Sequence, residues 1–357
     1  MSEEKLRASL TAIGLHEEAS ETFVDACRAV EEAMARADFD VREEITGPLV
    51  DAMYGGVDVV AVTLDDGVRF EVPYRSKIAR DLVLRSVERP DHVFEPQTTK
   101  TLRYFARGAN HVIVGGAYAG DHAIPLAHDL RESGGTVHAF EPNAEQMYWL
   151  RRNAETNLLS NLRFESRALW NNDGVRLRLV GDDAYIRTEP DEEFGTIDAV
   201  SIEGYSERLG IEKIDLIMLD VEGGELSILQ GARRFLAMPA GSAPAIVYEI
   251  NNAYVDWSRG LHRTEIVEFL AEHGYTSFGI RDYQSNVDMA GRRVELVPVE
   301  GAYLGGPRHG FNVLATKKPE ALPEETFRIV SGRSPKLLRH RDPALHAPLS
   351  EDGERDQ

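Results

Sequence analysis

The chain of 357 residues has a single cysteine, Cys27. An intrachain disulfide and a cysteine-built metal site are therefore excluded. No apolar run approaches the length needed to cross a bilayer. The N-terminus, Met-Ser-Glu-Glu-Lys, lacks the basic region and apolar stretch of a secretory signal. Together these absences point to a cytoplasmic protein with no membrane partner. Positive charge is also scarce, with 40 Lys and Arg against 60 Asp and Glu, a formal net charge of −20. Phosphate-rich partners need basic surfaces, so a nucleic-acid substrate is disfavoured. Arginines outnumber lysines 33 to 7, the usage of a GC-rich bacterial genome. What is present is a 42% hydrophobic fraction, sufficient for a substantial core.

The most informative segment is His111-Val-Ile-Val-Gly-Gly-Ala-Tyr-Ala-Gly120. A short apolar strand runs into a glycine-rich turn. A helical pattern follows, with Ala123, Ile124, Ala127 and Leu130 on one face. A second strand, Thr136 to Phe140, stops at Glu141, twenty-one residues past Gly120. Such a unit opens many nucleotide-binding α/β sheets. Its glycines let a ligand approach the backbone, and the acid at the next strand's tip grips ribose hydroxyls. Further on, Ile214-Asp-Leu-Ile-Met-Leu-Asp-Val-Glu-Gly-Gly-Glu225 reads as a buried strand ending at Asp220. A helix follows, with Leu226, Leu229, Ala232 and Leu236 at helical spacing. Asp220 and Glu222 are thus expected at the carboxyl end of a parallel strand, where open α/β sheets bind ligands.

Three stretches in this order resemble the FkbM-type S-adenosylmethionine-dependent methyltransferases. They are Phe140-Glu141-Pro142-Asn143, Asp220-Val221-Glu222-Gly223 with Glu225, and Leu229-Gln230-Gly231-Ala232. The resemblance covers about residues 95 to 316. It implies a seven-stranded methyltransferase sheet and methyl transfer, usually to oxygen, on a sugar or secondary metabolite. The chain departs from the family at Val114, where an Asp is usual, and at Tyr118, where an Asn is usual. A Lys often precedes the strand-end acid, where this chain has Met218 and Leu219.

Residues 3 to 37 show a helical apolar stripe through Leu6, Leu10, Ile13, Phe23, Cys27, Val30 and Met34. A helical appendage is expected, packed on the domain or on a second subunit in a homodimer. Residues 57 to 72 alternate around Asp65-Asp66-Gly67 and predict a β-hairpin. Helices are expected from Lys77 to Glu88 and from Glu95-Pro96 onward. In the second, Gln97 and Thr98 serve either as a plain cap or as cofactor contacts.

Core strands are expected near 111–114, 136–140, 162–167, 214–219, 245–250, 275–280 and 311–315. With helices between them, they predict a doubly wound, Rossmann-like α/β sheet carrying the N-terminal helical and β-hairpin appendage. Strand-like runs between 174 and 202 predict an antiparallel insertion. Residues 282–310 read as a loop, and 319–357 as a mobile, Pro-rich tail. The expected division is 1–94, 95–318 and 319–357.

Cofactor contacts, to S-adenosyl-L-methionine, are expected at Gly115, Gly116, Ala117, Gly120, Glu141, Pro142, Asn143, Ser166, Ala168 and Asp220. Asn143 has a second reading as a helix cap. Asp121 and His122 open the helix after the glycines, and His122 reads either as an exposed helix residue or as a contact to the cofactor's methionine carboxylate or the substrate. Asp220, Glu249 and His262 are the candidate catalytic groups for proton removal from a small-molecule acceptor. Tyr254 and Trp257 are candidate pocket walls. No residue is assigned to a metal, although Asp220, Glu222 and Glu249 at neighbouring strand tips have the hard oxygen donors that Mg²⁺ takes. Two alternatives stay open: a nicotinamide-dependent oxidoreductase and a cofactor-binding scaffold without catalysis. Gly115-Gly116-Ala117-Tyr118-Ala119-Gly120 fits the Gly-x-Gly-x-x-Gly of the former poorly.

Overall fold

The computed structural model describes residues 2–34, 37–76, 78–85, 94–180, 185–187, 196–282, 291–306, 310–338 and 340–350. The chain forms two compact units: residues 1–96, 283–292 and 336–357 make one, and 97–282 with 293–335 the other.

The first unit begins with α1 (Glu3–Gly14) and α2 (Glu17–Ala33). Ser2 caps α1, its hydroxyl accepting the Lys5 amide at 3.3 Å. Then come α3 (Gly47–Met53), the hairpin of β1 (Val59–Thr63) and β2 (Arg69–Pro73), and α4 (Ala79–Leu84). Part of the expected apolar stripe, Leu10, Ile13, Phe23 and Cys27, packs inside this unit, while Leu6 and Val30 are exposed. Leu10, Val24 and Cys27 pack with Val50, Met53, Val60, Val83 and Leu84. Burial of this kind contributes about 1.5–3 kcal/mol per large aliphatic side chain. A buried ion cluster lies in the same unit. Arg42 bonds both oxygens of Glu31, at 3.0 and 2.5 Å, and Asp81 at 3.0 Å.

The second unit starts with α5 (Pro96–Ala106) and alternates β3 (His111–Gly115), α6 (Ala123–Leu130), β4 (Thr136–Phe140), α7 (Ala144–Thr156) and β5 (Leu162–Glu165). An insertion follows, built of β6 (Ala168–Leu169), β7 (Arg176–Val180), β8 (Tyr185–Arg187) and β9 (Thr196–Val200). These form a separate small sheet in the order β6-β9-β7-β8. It is antiparallel as expected, except that β6 runs parallel to β9. The chain continues with α8 (Ile202–Leu209), β10 (Leu216–Leu219), α9 (Glu225–Gln230), α10 (Arg233–Leu236), β11 (Ala245–Ile250), α11 (Glu265–Glu272), β12 (Thr276–Ile280), β13 (Val294–Pro298), β14 (Phe311–Thr316) and β15 (Phe327–Ile329).

The main sheet has nine strands, in the order β15-β13-β12-β14-β11-β10-β3-β4-β5, where seven are expected. All seven expected strands are among them. The added pair, β13 and β15, extends the β12 side, with β13 antiparallel to β12 and parallel to β15. β13 comes from the segment read as a loop. Its run Val294-Glu295-Leu296-Val297 is wholly buried, so it carries no polar alternation to mark it. β15 comes from the segment read as a mobile tail. Three residues suffice for an edge strand, too few to show a period. The remaining tail divides between the units, with 336–350 including a short helix Pro343–His346 in the first. Of the expected loop, 283–290 and 307–309 lie outside the described residues, as do 86–88 of the expected helix after the hairpin.

The parallel register brings the strand ends level. Gly115 pairs with Leu219 on one side and Phe140 on the other, Phe140 pairs with Glu165, and Leu219 pairs with Tyr248. The residues that follow, among them Gly116, Glu141, Asp220 and Glu249, therefore share one rim. Beneath that rim lie Ile113, Phe140, Ile217, Leu219, Ile228 and Tyr248, each at most 1% exposed. Among the described residues no helix is long and apolar enough to cross a membrane.

Candidate active site

The glycine turn leaves β3 at the central strand pair. Gly116 has φ of 75°, and a Cβ there would stand 1.7 Å from the Asp220 carbonyl oxygen. Its missing side chain thus lets the ends of β3 and β10 close on each other. The amides of Gly116 and Ala117 both donate to the Phe140 carbonyl at 3.0 Å. Tyr118 adopts the left-handed conformation with φ of 47°. Asn tolerates that region better than other L-residues, which accounts for Asn at this place in the family the sequence resembles.

Val114 stands where an anchoring Asp is usual, and it is buried in mid-strand at 1% exposure. Other groups anchor the turn. Glu141 Oε2 accepts the Tyr118 amide at 2.9 Å, and Asn153 Nδ2 donates to the Ala119 carbonyl at 2.9 Å. Glu141 Oε1 also accepts the Asn143 amide at 2.7 Å. Glu141 is 5% exposed, and burial pushes its carboxyl up to about 7, against the pull of the two amide bonds. A carboxylate has about four acceptor positions, so a pair of ribose hydroxyls still finds acceptors there. These acceptor positions are chemically suited to the hydroxyls of an adenosine-containing group.

Around it, the Asn143 side chain caps α7 by accepting the amides of Glu145 and Gln146, at 2.9 and 3.2 Å. Pro142 is half-buried on the same turn. Ser166 is exposed after β5, and Ala168 is buried at the start of β6. Gln97 and Thr98 are at the capped start of α5. Their amides donate to the two Asp282 carboxylate oxygens at 3.2 and 2.7 Å, and Gln97 Oε1 accepts the Glu295 amide at 2.6 Å. His122 is not exposed, against the first of its two readings. It is 5% exposed, with Nδ1 3.5 Å from the Thr99 hydroxyl and Nε2 3.7 Å from Asp121. The turn after the glycines folds it inward, a placement that helix periodicity alone does not reveal.

The second half of the site is acidic. Carboxylate oxygens of Asp220, Glu222 and Glu249 all lie within 4.8 Å of one another. Each residue is half-buried, and among the described residues no histidine joins the group. Asp220 and Glu222 come from the loop after β10, Glu249 from the end of β11. Glu222 has φ of 57°, and Tyr254 donates its hydroxyl to Glu222 Oε2 at 3.2 Å. Gly310 gives Glu249 its space, since a Cβ there would lie 1.7 Å from Oε1. Residues 252–258, with Tyr254 and Trp257 among them, line an open recess of about 490 Å³. His262 lies on the turn Leu261–Arg263, its Nδ1 buried without a hydrogen-bond partner. Met218 and Leu219, where a Lys is often found, are buried at 1% and 0% exposure.

One feature is not legible in the sequence: Glu225 has no task there beyond its place beside the Asp220-Val221-Glu222-Gly223 stretch.

Residues 115–277 match the family model of the methyltransferase FkbM domain. Among solved structures, the chain is similar to a methyltransferase FkbM from Methylobacillus flagellatus, at 18% identity and a TM-score of 0.33, over 58% of this chain and 44% of that one. The chain thus spans less than half of that protein's length. A putative O-methyltransferase from Klebsiella pneumoniae is similar at 13% identity and a TM-score of 0.34, over 64% of this chain and 83% of that one. A SAM-dependent methyltransferase from Agrobacterium tumefaciens is similar at 13% identity and a TM-score of 0.39, covering 73% and 71%. No curated protein matches.

Proposed function

We propose that the chain, whose residues 115–277 match the family model of the methyltransferase FkbM domain, transfers a methyl group from S-adenosylmethionine to a hydroxyl of a sugar or secondary metabolite. The observation that carries this reading is the shared rim. A glycine turn braced by Glu141 and a group of three acids, Asp220, Glu222 and Glu249, stand at the ends of adjacent parallel strands. When bound, S-adenosylmethionine supplies an activated methyl group, so the protein's work is to position the acceptor and remove its proton.

In this reading Glu141 accepts the ribose hydroxyls. The turn Gly115, Gly116, Ala117 and Gly120 lies along the cofactor's backbone-facing side. Pro142, Asn143, Ser166 and Ala168 border the adenine. Asp220 takes the acceptor's proton, because it closes a central strand and has two further carboxylates within 4.8 Å. Glu249 is the second candidate. His262 is third, since it is outside the acid group. The same three acids offer the oxygen donors of a Mg²⁺ site, a use that a chelator experiment separates from proton removal.

Calorimetric titration of the protein with S-adenosylmethionine and with NADPH tests the reading. Binding of the first and not the second is expected. Binding of NADPH alone would move the protein to the oxidoreductases. Cofactor binding without release of S-adenosylhomocysteine across a panel of hydroxylated acceptors would favour a non-catalytic scaffold.

A further inference from the structure

We propose that Glu225 is the positioning residue of the acidic loop: it holds Glu222 in a left-handed backbone so that its carboxylate meets those of Asp220 and Glu249. This inference rests on the methyltransferase reading for its kinetic consequences, and on the loop's geometry alone for its structural ones.

Glu225 opens α9 and is 4% exposed. Its Oε1 accepts the amides of Val221 and Gly223 at 3.1 and 3.2 Å, and its Oε2 accepts the Gly223 amide at 3.1 Å. Those amides belong to peptides on the two sides of the Val221-Glu222 segment. One carboxylate thus clasps the loop across the residue with φ of 57°. Left-handed backbone is avoided by residues with a Cβ and persists only where neighbouring contacts enforce it. Tyr254 supplies the second restraint. Its hydroxyl donates to Glu222 Oε2 at 3.2 Å, and its ring covers Gly223, where a Cβ would stand 2.9 Å from the ring.

Glu225 is not part of the acid group that it arranges. It acts through the loop, and its carboxylate is turned to backbone amides. Burial and the nearby Glu222 charge push its carboxyl up to about 7, so ionisation there is opposed by everything except the amide bonds it makes. A helix cap of ordinary kind would contribute stability only. A positioning residue controls where two carboxylates stand, and misplacement of a reacting group by 1 Å can cost about 10²-fold in rate.

The test uses the full-length protein and two variants, Glu225→Gln and Tyr254→Phe. Glutamine keeps one acceptor oxygen but turns N–H groups toward the loop amides. Glu225→Gln is expected to lower turnover by about 10²-fold, measured as S-adenosylhomocysteine release with whichever acceptor supports it. Affinity for S-adenosylmethionine stays within about twofold, because the Glu141 brace is separate. Tyr254→Phe lowers turnover less. The double variant falls by less than the product of the two, since both act on one loop. A crystal structure of Glu225→Gln is expected to show Glu222 out of the left-handed region and the three carboxylates separated. Unchanged loop geometry would overturn the proposal, whether or not an acceptor is known. So would turnover and cofactor affinity falling in parallel. Should Glu225→Gln not fold, Tyr254→Phe carries the same two readouts. A wild-type protein that binds no S-adenosylmethionine would overturn the methyltransferase reading instead, and the crystal structure would still decide the role of Glu225.

Discussion

Glu141 and Glu225 are two buried glutamates on one rim, and they brace it differently. Each accepts backbone amides, and burial pushes each carboxyl up to about 7. Glu141 divides its oxygens between two loops, one on the Tyr118 amide after β3 and one on the Asn143 amide after β4. Glu225 spends all its bonds inside the single loop after β10. The first is a cross-brace that ties two strand ends together where a cofactor would lie. The second is a local clasp under the acids that would meet the acceptor. Damage to the one is expected to appear in cofactor binding, and damage to the other in turnover.

The largest expected effect comes from the acid that the clasp presents. Asp220→Asn removes the proposed general base and keeps the shape, so turnover should fall by about 10²–10⁴-fold with little change in melting temperature. If only cofactor affinity falls, Asp220 is a binding group, and Glu249 or His262 takes the proton. Treatment with EDTA should leave wild-type turnover intact. Loss on EDTA and recovery with Mg²⁺ would make Asp220, Glu222 and Glu249 metal ligands, with the ion lowering the acceptor's pKa.

The cross-brace is broken by Glu141→Ala. Ribose hydroxyls left without acceptors should weaken S-adenosylmethionine by about 1–3 kcal/mol in calorimetry. Equal affinities for variant and wild type would remove Glu141 from the cofactor site.

The smallest effect sharpens the likeness between the two glutamates. A carboxyl whose folded pKa is raised from 4.5 to about 7 contributes stability fully present below about pH 4.5, and loses it as pH rises through about 7. Glu225→Gln removes that loss. Its unfolding free energy should therefore fall less between about pH 5 and pH 7.5 than the wild type's, by at most about 3 kcal/mol. The comparison with wild type matters because His138 acts oppositely. Burial pushes its imidazole down to about 3, so the folded state loses stability as pH falls below about 6.5. Identical pH slopes for the two proteins would show that Glu225 has no raised pKa.

Parts of the molecule were open to sequence reading because their signals are local. Strands such as His111–Gly115 and Ala245–Ile250 are short apolar runs bounded by turn residues, and helices such as Glu265–Glu272 show a regular apolar face. Glu141, Asp220 and Glu249 were recognisable as strand-end acids for the same reason. β13 carries no such signal, because a strand buried on both faces and set between Gly- and Arg-rich stretches has no alternation. The burial of His122 was hidden as well, since it depends on Thr99 and Asp121, neighbours that periodicity does not count.

By itself, the sequence determined where the strands and helices of the second unit begin, β13 and β15 apart, which residues stand at the strand tips, and that no intrachain disulfide can form. These follow from patterns within about a dozen residues, the range over which periodicity and capping act. Only the tertiary structure decided which tips are neighbours. The sheet order places β11, β10, β3 and β4 side by side, although β10 enters the chain long after β4. That order brings the Asp220 carbonyl against Gly116 and the Asp220 carboxylate within reach of Glu249. It also left Glu222 in a backbone that a local propensity would reject, held there by Glu225 and Tyr254. Contacts between residues distant in sequence are set by packing and strand pairing, and a linear pattern of residue types does not encode them singly.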